Sequence, residues 1–280
     1  MIYLLLSIVA STLIFVIFNL FHIYKITTVK AIVINYITAF TFGFLVFQVY
    51  QNHFSYTELG LAIGLGILFF TLFNVMGLTT QKFGVTIASI STKMSLIFPV
   101  LIGSFIYNDS LNLFQWIAVV LAIISIWMVN YQKGTKQSTS QRYLPVILFI
   151  GSGVLDSLVD LASRFVIESN NESFSTLIFG SAATVGLSFL GLKRNLKFEK
   201  KELIGGFTLG IINFFSIYLI LEALDHAFIT RSLIFPINNV SIIAFSALLG
   251  YWIFKEQKTK LNWGGVFVAL CSILLFAFSR

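Results

Sequence analysis

Ten apolar stretches, roughly residues 2–21, 30–49, 58–78, 85–107, 112–130, 143–165, 174–192, 203–222, 228–253 and 262–279, follow one another along this 280-residue sequence with only short polar turns between them. A hydrocarbon core of about 30 Å is crossed by about 20 helical residues, so each stretch is long enough for one passage. Lipid offers no hydrogen bonds, and these runs are far longer than barrel strands, so the backbone must satisfy itself as helix. The expected fold is an all-α polytopic membrane protein with ten transmembrane helices. Charged residues make up 10% of the chain, against about 25% in soluble domains. Met1–Phe21 lacks a positive leader region and its apolar run is too long for a signal core, so it is read as the first helix.

The net charge of +7 does not point to nucleic acid, because the basic residues lie in alternate loops rather than on one soluble face. One set of loops receives Lys25, Lys30, Lys82, Lys133, Lys136, Arg142, Lys193, Arg194, Lys197, Lys200, Lys201, Lys255, Lys258 and Lys260. The other set holds Glu58, Asp109, Glu168, Glu172 and Asp225. The positive-inside rule then places the lysine-rich loops in the cytoplasm and both termini outside. Trp116, Trp252 and Trp263, near span ends, suit interfacial anchoring. The single Cys271 lies within the last stretch and excludes a disulfide framework or a cysteine metal site.

The polar stretch Tyr131–Gln141 divides the sequence into two sets of five spans. A shift of 147 residues lays Asp109 on Glu256, Trp116 on Trp263, Ala118 on Gly265, Ala122 on Ala269 and Ser125 on Ser272. At nearly the same shift Gly60 and Gly64 fall on Gly206 and Gly210, which reads as a small-residue packing face in both halves. A competing register of 137 residues repeats Ser95–Pro99 as Ser232–Pro236 letter for letter and stays without a role. Five is odd, so a second copy enters the membrane from the opposite side. The organisation expected is a first repeat at 1–131, a cytoplasmic linker at 132–142 and an inverted second repeat at 143–280. Inverted repeats build carriers whose sites lie near the midplane.

Two five-helix halves, each with a fourth helix ending in an acid (Asp109, Glu256) and a fifth opening with an aromatic and small residues, resemble the EamA-like group of the drug/metabolite transporter superfamily. Asn19–Lys25 and the segments Ile106–Asp109 and Ile253–Glu256 are similar to motifs of that family, although Asp109 stands where glutamate is usual. The resemblance implies a secondary transporter of small organic solutes, amino acids or related metabolites, working as an exporter in a bacterial inner membrane. It also implies a cavity lined by helices one, three, four, six, eight and nine.

Ionisable groups within a span are costly and are candidates for function. Lys93 and Asp156 lie near the middle of the fourth and sixth spans, with Ser11, Thr12, Asn213, Asn238 and Asn239 at similar depth. These seven residues form the expected substrate site. Lys93 would meet a carboxylate or phosphate, and Asp156 would either pair with Lys93 or carry a coupling proton. A buried ion pair that only fixes helix packing is the competing reading. Asp160 and Arg164 continue one face of the sixth span beyond Asp156. With Glu222 and Arg231 they are the candidates for a gate or for proton coupling, the alternative being a solvated rim. Three scattered histidines without matching carboxylates do not suggest a metal, and no glycine-rich loop follows a strand, so neither cofactor nor nucleotide drive is expected. The partners expected are a small-molecule substrate and the bilayer. A channel, a structural membrane protein and, last, an intramembrane enzyme using Asp156 and Asp160 are the other readings.

Overall fold

The computed structural model describes residues 2–51, 53–107, 111–131, 143–165, 171–226 and 231–279, with backbone alone at residues 107, 164, 165, 171, 225, 231 and 232. The expected linker at 132–142 and the acid Asp109 lie outside the described residues. Helices in chain order are α1 (Ile2–Ile23), α2 (Thr28–Val46), α3 (Tyr56–Phe83), α4 (Val85–Met94), α5 (Ile97–Tyr107), α6 (Leu113–Asn130), α7 (Leu144–Phe165), α8 (Asn171–Leu192), α9 (Lys200–Asp225), α10 (Arg231–Trp252) and α11 (Lys260–Phe278). Val49–Gln51 adds one 3₁₀ turn, and no strand occurs among the described residues. Ten spans are long and apolar enough to cross a membrane, the fourth being divided into α4 and α5.

Several helices start where a side chain meets the orphan N–H groups of a first turn. Ser55 accepts from the Glu58 N–H at 3.2 Å while Glu58 accepts from the Ser55 N–H at 2.8 Å. Asn112 with Gln115, and Thr259 with Asn262, form the same reciprocal boxes at the heads of α6 and α11.

The helices pack largely across the two sets of five: α6 on α11, α2 on α8 and α9, α1 on α9 and α10, and α3 on α7 and α8. Large apolar side chains such as Trp127, Phe207 and Phe267 stand exposed on the outside, whereas Asn35, Ser89 and Ser125 are fully buried. That inversion of the water-soluble pattern follows from lipid as solvent: dispersion and hydrogen bonds, rather than hydrophobic burial, hold the helices together. Small residues permit the close approaches. A Cβ on Gly206 or Gly210 would stand 2.5 Å from side-chain atoms of Ile34 or Thr38 on α2. The expected matching face on α3 is not found: Gly60 and Gly64 have nothing within 4 Å, and Gly66 instead meets Ser181 and Ala182 of α8. The α6–α11 contact uses Ala118, Ala122, Gly265, Ala269 and Ser272, and the Ser272 hydroxyl donates to the Ala118 carbonyl at 2.7 Å.

Polar ties close the end of the bundle that carries the lysine-rich loops. Lys30, 7% exposed, donates to the Lys197 carbonyl at 2.5 Å and lies 3.5 Å from Glu202. Gln81 donates to Thr28 at 2.7 Å. Asn262 donates to the carbonyls of Met128, Val129 and Tyr131, capping the end of α6. Lys258 donates to the Phe83 carbonyl at 2.9 Å, and its ammonium stands 3.3 Å from Glu256. Burial pushes the Lys258 ammonium below its ordinary value, and Glu256 opposes that shift. Lys30 and Lys258, counted above among the loop cations, are therefore buried structural cations.

Candidate functional site

The fourth span breaks between Met94 and Ile97. Pro99 explains the position: it has no N–H to offer the carbonyl of Ser95, and its ring crowds that carbonyl. The Phe98 N–H takes the Ser95 carbonyl instead, at 2.9 Å, in a tighter turn. Ser95 then turns its hydroxyl to the Thr92 carbonyl at 2.5 Å and to Asp156 Oδ2 of α7 at 3.0 Å. One hydroxyl proton cannot serve both acceptors fully. A protonated Asp156 could donate to Ser95 while Ser95 donates to Thr92, whereas an ionised Asp156 competes with Thr92 for the same proton.

A cavity of about 560 Å³ opens beside this break. Its walls come from α1 (Ser11), α3 (Phe69), α4 and α5 (Thr92, Lys93, Pro99), α7 (Asp156, Val159, Asp160, Ser163), α9 (Ser216, Ile217, Ile220) and α10 (Phe235, Asn238, Asn239), with Ser95 and Leu96 at the junction. These are the helices that the family resemblance implies. The Lys93 ammonium has no hydrogen bond and no ion-pair partner within 4.0 Å among the described residues. Asp156 stands in the same wall, beyond that distance. The N-terminal end of α5, with its partial positive charge, opens on the same space, since Leu96 and Pro99 are in the wall. Asn238 is 6% exposed, and its side-chain oxygen has no partner among the described residues. One cation, a carboxylate held by a hydroxyl, and unpaired amide capacity thus converge where a membrane helix is interrupted. Such a cavity can hold an organic solute carrying groups of both charges.

Of the seven expected substrate residues, Ser11, Lys93, Asp156, Asn238 and Asn239 meet in this cavity. Thr12 and Asn213 are not in its wall. Thr12, 2% exposed, donates back to the Ile8 carbonyl at 2.7 Å. Asn213 donates to Asn35 of α2 at 3.2 Å, in a buried network where Ser7 also donates to the Ser216 carbonyl at 3.1 Å. Of the four expected gate residues, Asp160 lines the cavity. Glu222 pairs with His226 at 3.4 Å, and the His226 ring lies 5.4 Å from that of Tyr3. The side chains of Arg164 and Arg231 lie outside the described residues. Reasoning from sequence missed Ser95 and the aromatic walls Phe69 and Phe235; the proline four residues after Ser95 was the available signal for the break. A second recess, of about 460 Å³, is lined by Phe83, Trp127, Asn130 and Phe149 near the lysine-rich end. It has no carboxylate or basic group in its wall.

The chain is thus an integral membrane protein, an all-helical bundle around a polar cavity. No family model matches it. An uncharacterized protein of Haemophilus influenzae is 28% identical over 253 residues, 87% of this chain and 86% of that protein. A Rickettsia prowazekii protein named S-adenosylmethionine uptake transporter is 23% identical over 211 residues, 73% of this chain and 68% of that protein.

Proposed function

We propose that this protein is a secondary transporter that carries small organic solutes, amino acids or related metabolites, by alternating access. The observation that carries the reading is the cavity at the broken fourth span, where Lys93 and Asp156 stand in one wall without touching. Interrupted helices whose ends face a midplane cavity are how transporters hold charged solutes. The substrate carboxylate goes to Lys93, and a cationic group of the substrate goes to Asp156. The hydrogen bond from Ser95 makes Asp156 the candidate for a coupling proton, because protonation rearranges that bond. S-adenosylmethionine, which carries a carboxylate, an ammonium and a sulfonium, is the first solute to test, given the name of the Rickettsia relative.

The inverted repeat belongs to the same proposal, and two observations support it. The capping boxes that begin α6 and α11 start 147 residues apart, at Asn112 and Thr259, the shift that matches Asp109 with Glu256. Under an exchange of 1–131 with 143–280, the α2–α9 contact corresponds to α8–α3, and α1–α10 to α7 with the fourth span; each of these contacts is present. Residues 132–142 then join the halves on the cytoplasmic side, with both termini outside a bacterial inner membrane. A reporter fused at Arg280 that is active only in the cytoplasm would overturn this orientation.

Counterflow in proteoliposomes tests the function. Preloaded unlabelled solute should drive transient uptake of labelled solute, and Lys93→Ala should abolish it. A channel gives no counterflow, and an enzyme would return altered solute. Export is the first direction to assay, by efflux from loaded cells. Full activity in both Lys93→Ala and Asp156→Asn would leave these residues a packing role only.

A further inference from the structure

The inference below rests on the transport reading, since alternating access requires that a closed end of the bundle open. The cavity wall runs from the helix middles away from the lysine-rich end. Among the described residues, four sets of ties close the bundle at the lysine-rich end, and they are not equivalent. Lys30 joins α2 to the α8–α9 turn, Gln81 joins α3 to α2 at Thr28 and to α1 at the Phe18 carbonyl, and Asn262 joins α11 to α6. Lys30 and Asn262 each tie a helix that is not in the cavity wall, and Gln81 ties α1, α2 and α3, all within the first five spans. The remaining tie joins α4 to the loop after α10, and both helices are cavity walls that pack on each other.

Its centre is Glu256. The carboxylate accepts from the Val85 N–H at 2.5 Å and from the Thr86 hydroxyl at 2.7 Å, and Lys258, itself bonded to the end of α3, balances it at 3.3 Å. Two glycines make the space. Gly84, at φ +93°, lies directly against the carboxylate, and a Cβ on Gly250 would stand 2.6 Å from Thr86 Oγ1 and 2.8 Å from Glu256 Oε2. Between this tie and the cavity, α4 and α10 contribute Ser91 and Ser246, 1% and 0% exposed, whose hydroxyls have no partner among the described residues. Unpaired buried hydroxyls add little to holding two helices together in lipid and find partners once water enters.

We propose that Glu256 is the latch of the lysine-rich end: while it holds Val85 and Thr86 the cavity is closed to that side, and its release lets α4 part from α10. The path so opened runs past Ser91 and Ser246 to Lys93.

The test reads accessibility and needs no substrate. In a C271A background, a cysteine is placed at Ser246 and a membrane-impermeant maleimide is added to the face that bears Lys197. The reagent should react slowly with S246C alone. It should react about tenfold or more faster when E256Q weakens the charged hydrogen bonds, and faster by a smaller factor with T86V. K30M, which removes a tie away from the cavity, should leave the rate unchanged. Unchanged rates in both E256Q and T86V would overturn the latch. So would an equal increase from both faces, or an increase of the same size with K30M. If E256Q fails to fold, the T86V rate decides by the same criterion. Failure of the latch leaves counterflow intact, whereas failure of the transport reading removes counterflow without altering these rates.

Discussion

At position 93 an ammonium group faces a membrane cavity with no anion in contact among the described residues. A group placed so is stabilised when a ligand brings the missing charge. Lys93→Met should cost a carboxylate substrate about 1.5–3 kcal/mol of binding, a loss of roughly ten- to a hundredfold in affinity, read by titration in detergent. Asp156→Asn keeps the shape but removes both the exchangeable proton and the charge that meets the substrate's cationic group, so counterflow should continue at raised substrate concentration while uptake driven by a proton gradient is lost. Lys25 and Arg194 end helices in the left-handed region, at φ 50° each, where a Cβ is crowded. Lys25→Gly and Arg194→Gly should each raise stability by about 1 kcal/mol, read as a higher melting temperature. Lys93 and Asp156 were legible in the sequence because ionisable residues within apolar runs stand out. Ser95 and Ser216 were not, because a serine in an apolar run is unremarkable until the fold shows what it faces.

A proline in the first turn of α5 converts one membrane passage into two shorter helices, and Pro99→Ala should reverse that by returning an N–H to the Ser95 carbonyl. The variant is expected to melt higher and to transport more slowly, since the break presents Lys93 and Ser95 to the cavity. The ten passages were legible from length and hydropathy, because lipid leaves the backbone few choices. The break was less so: Pro236, in the second copy of the same five-residue segment, sits within a continuous α10. Position along the helix, not the segment itself, decides the outcome. Glycines divide in the same way. Gly206→Ala and Gly210→Ala should each destabilise by about 1–3 kcal/mol through overpacking against α2. Gly60→Ala and Gly64→Ala, which meet nothing, should be neutral or up to about 1 kcal/mol stabilising through helix propensity. A four-residue glycine spacing shows that close approach is affordable on that face, but the partner helix has to be known before it can be said to occur.

Across the whole molecule, the two sets of five spans interleave instead of standing apart, so the proposed repeats do not correspond to two separate bodies. The closed end depends on that interleaving, because its ties run between residues far apart in the chain, such as Lys258 with Phe83 and Lys30 with Lys197. No local pattern announces them. Breaking one partner of the Glu256–Lys258 pair leaves a buried charge uncompensated, so E256Q and K258M should each destabilise by more than the double variant implies, with a coupling of about 1–3 kcal/mol in a thermal-melt cycle. Many of these ties end on main-chain atoms: the carbonyls of Phe83, Met128, Val129, Tyr131 and Lys197, and the N–H of Val85. A carbonyl is present whatever side chain its position carries. The main-chain half of each bond is therefore indifferent to substitution at its position, and only the side-chain half, a donor in Lys30, Asn262 and Lys258 and an acceptor in Glu256, has to be kept for the end to close.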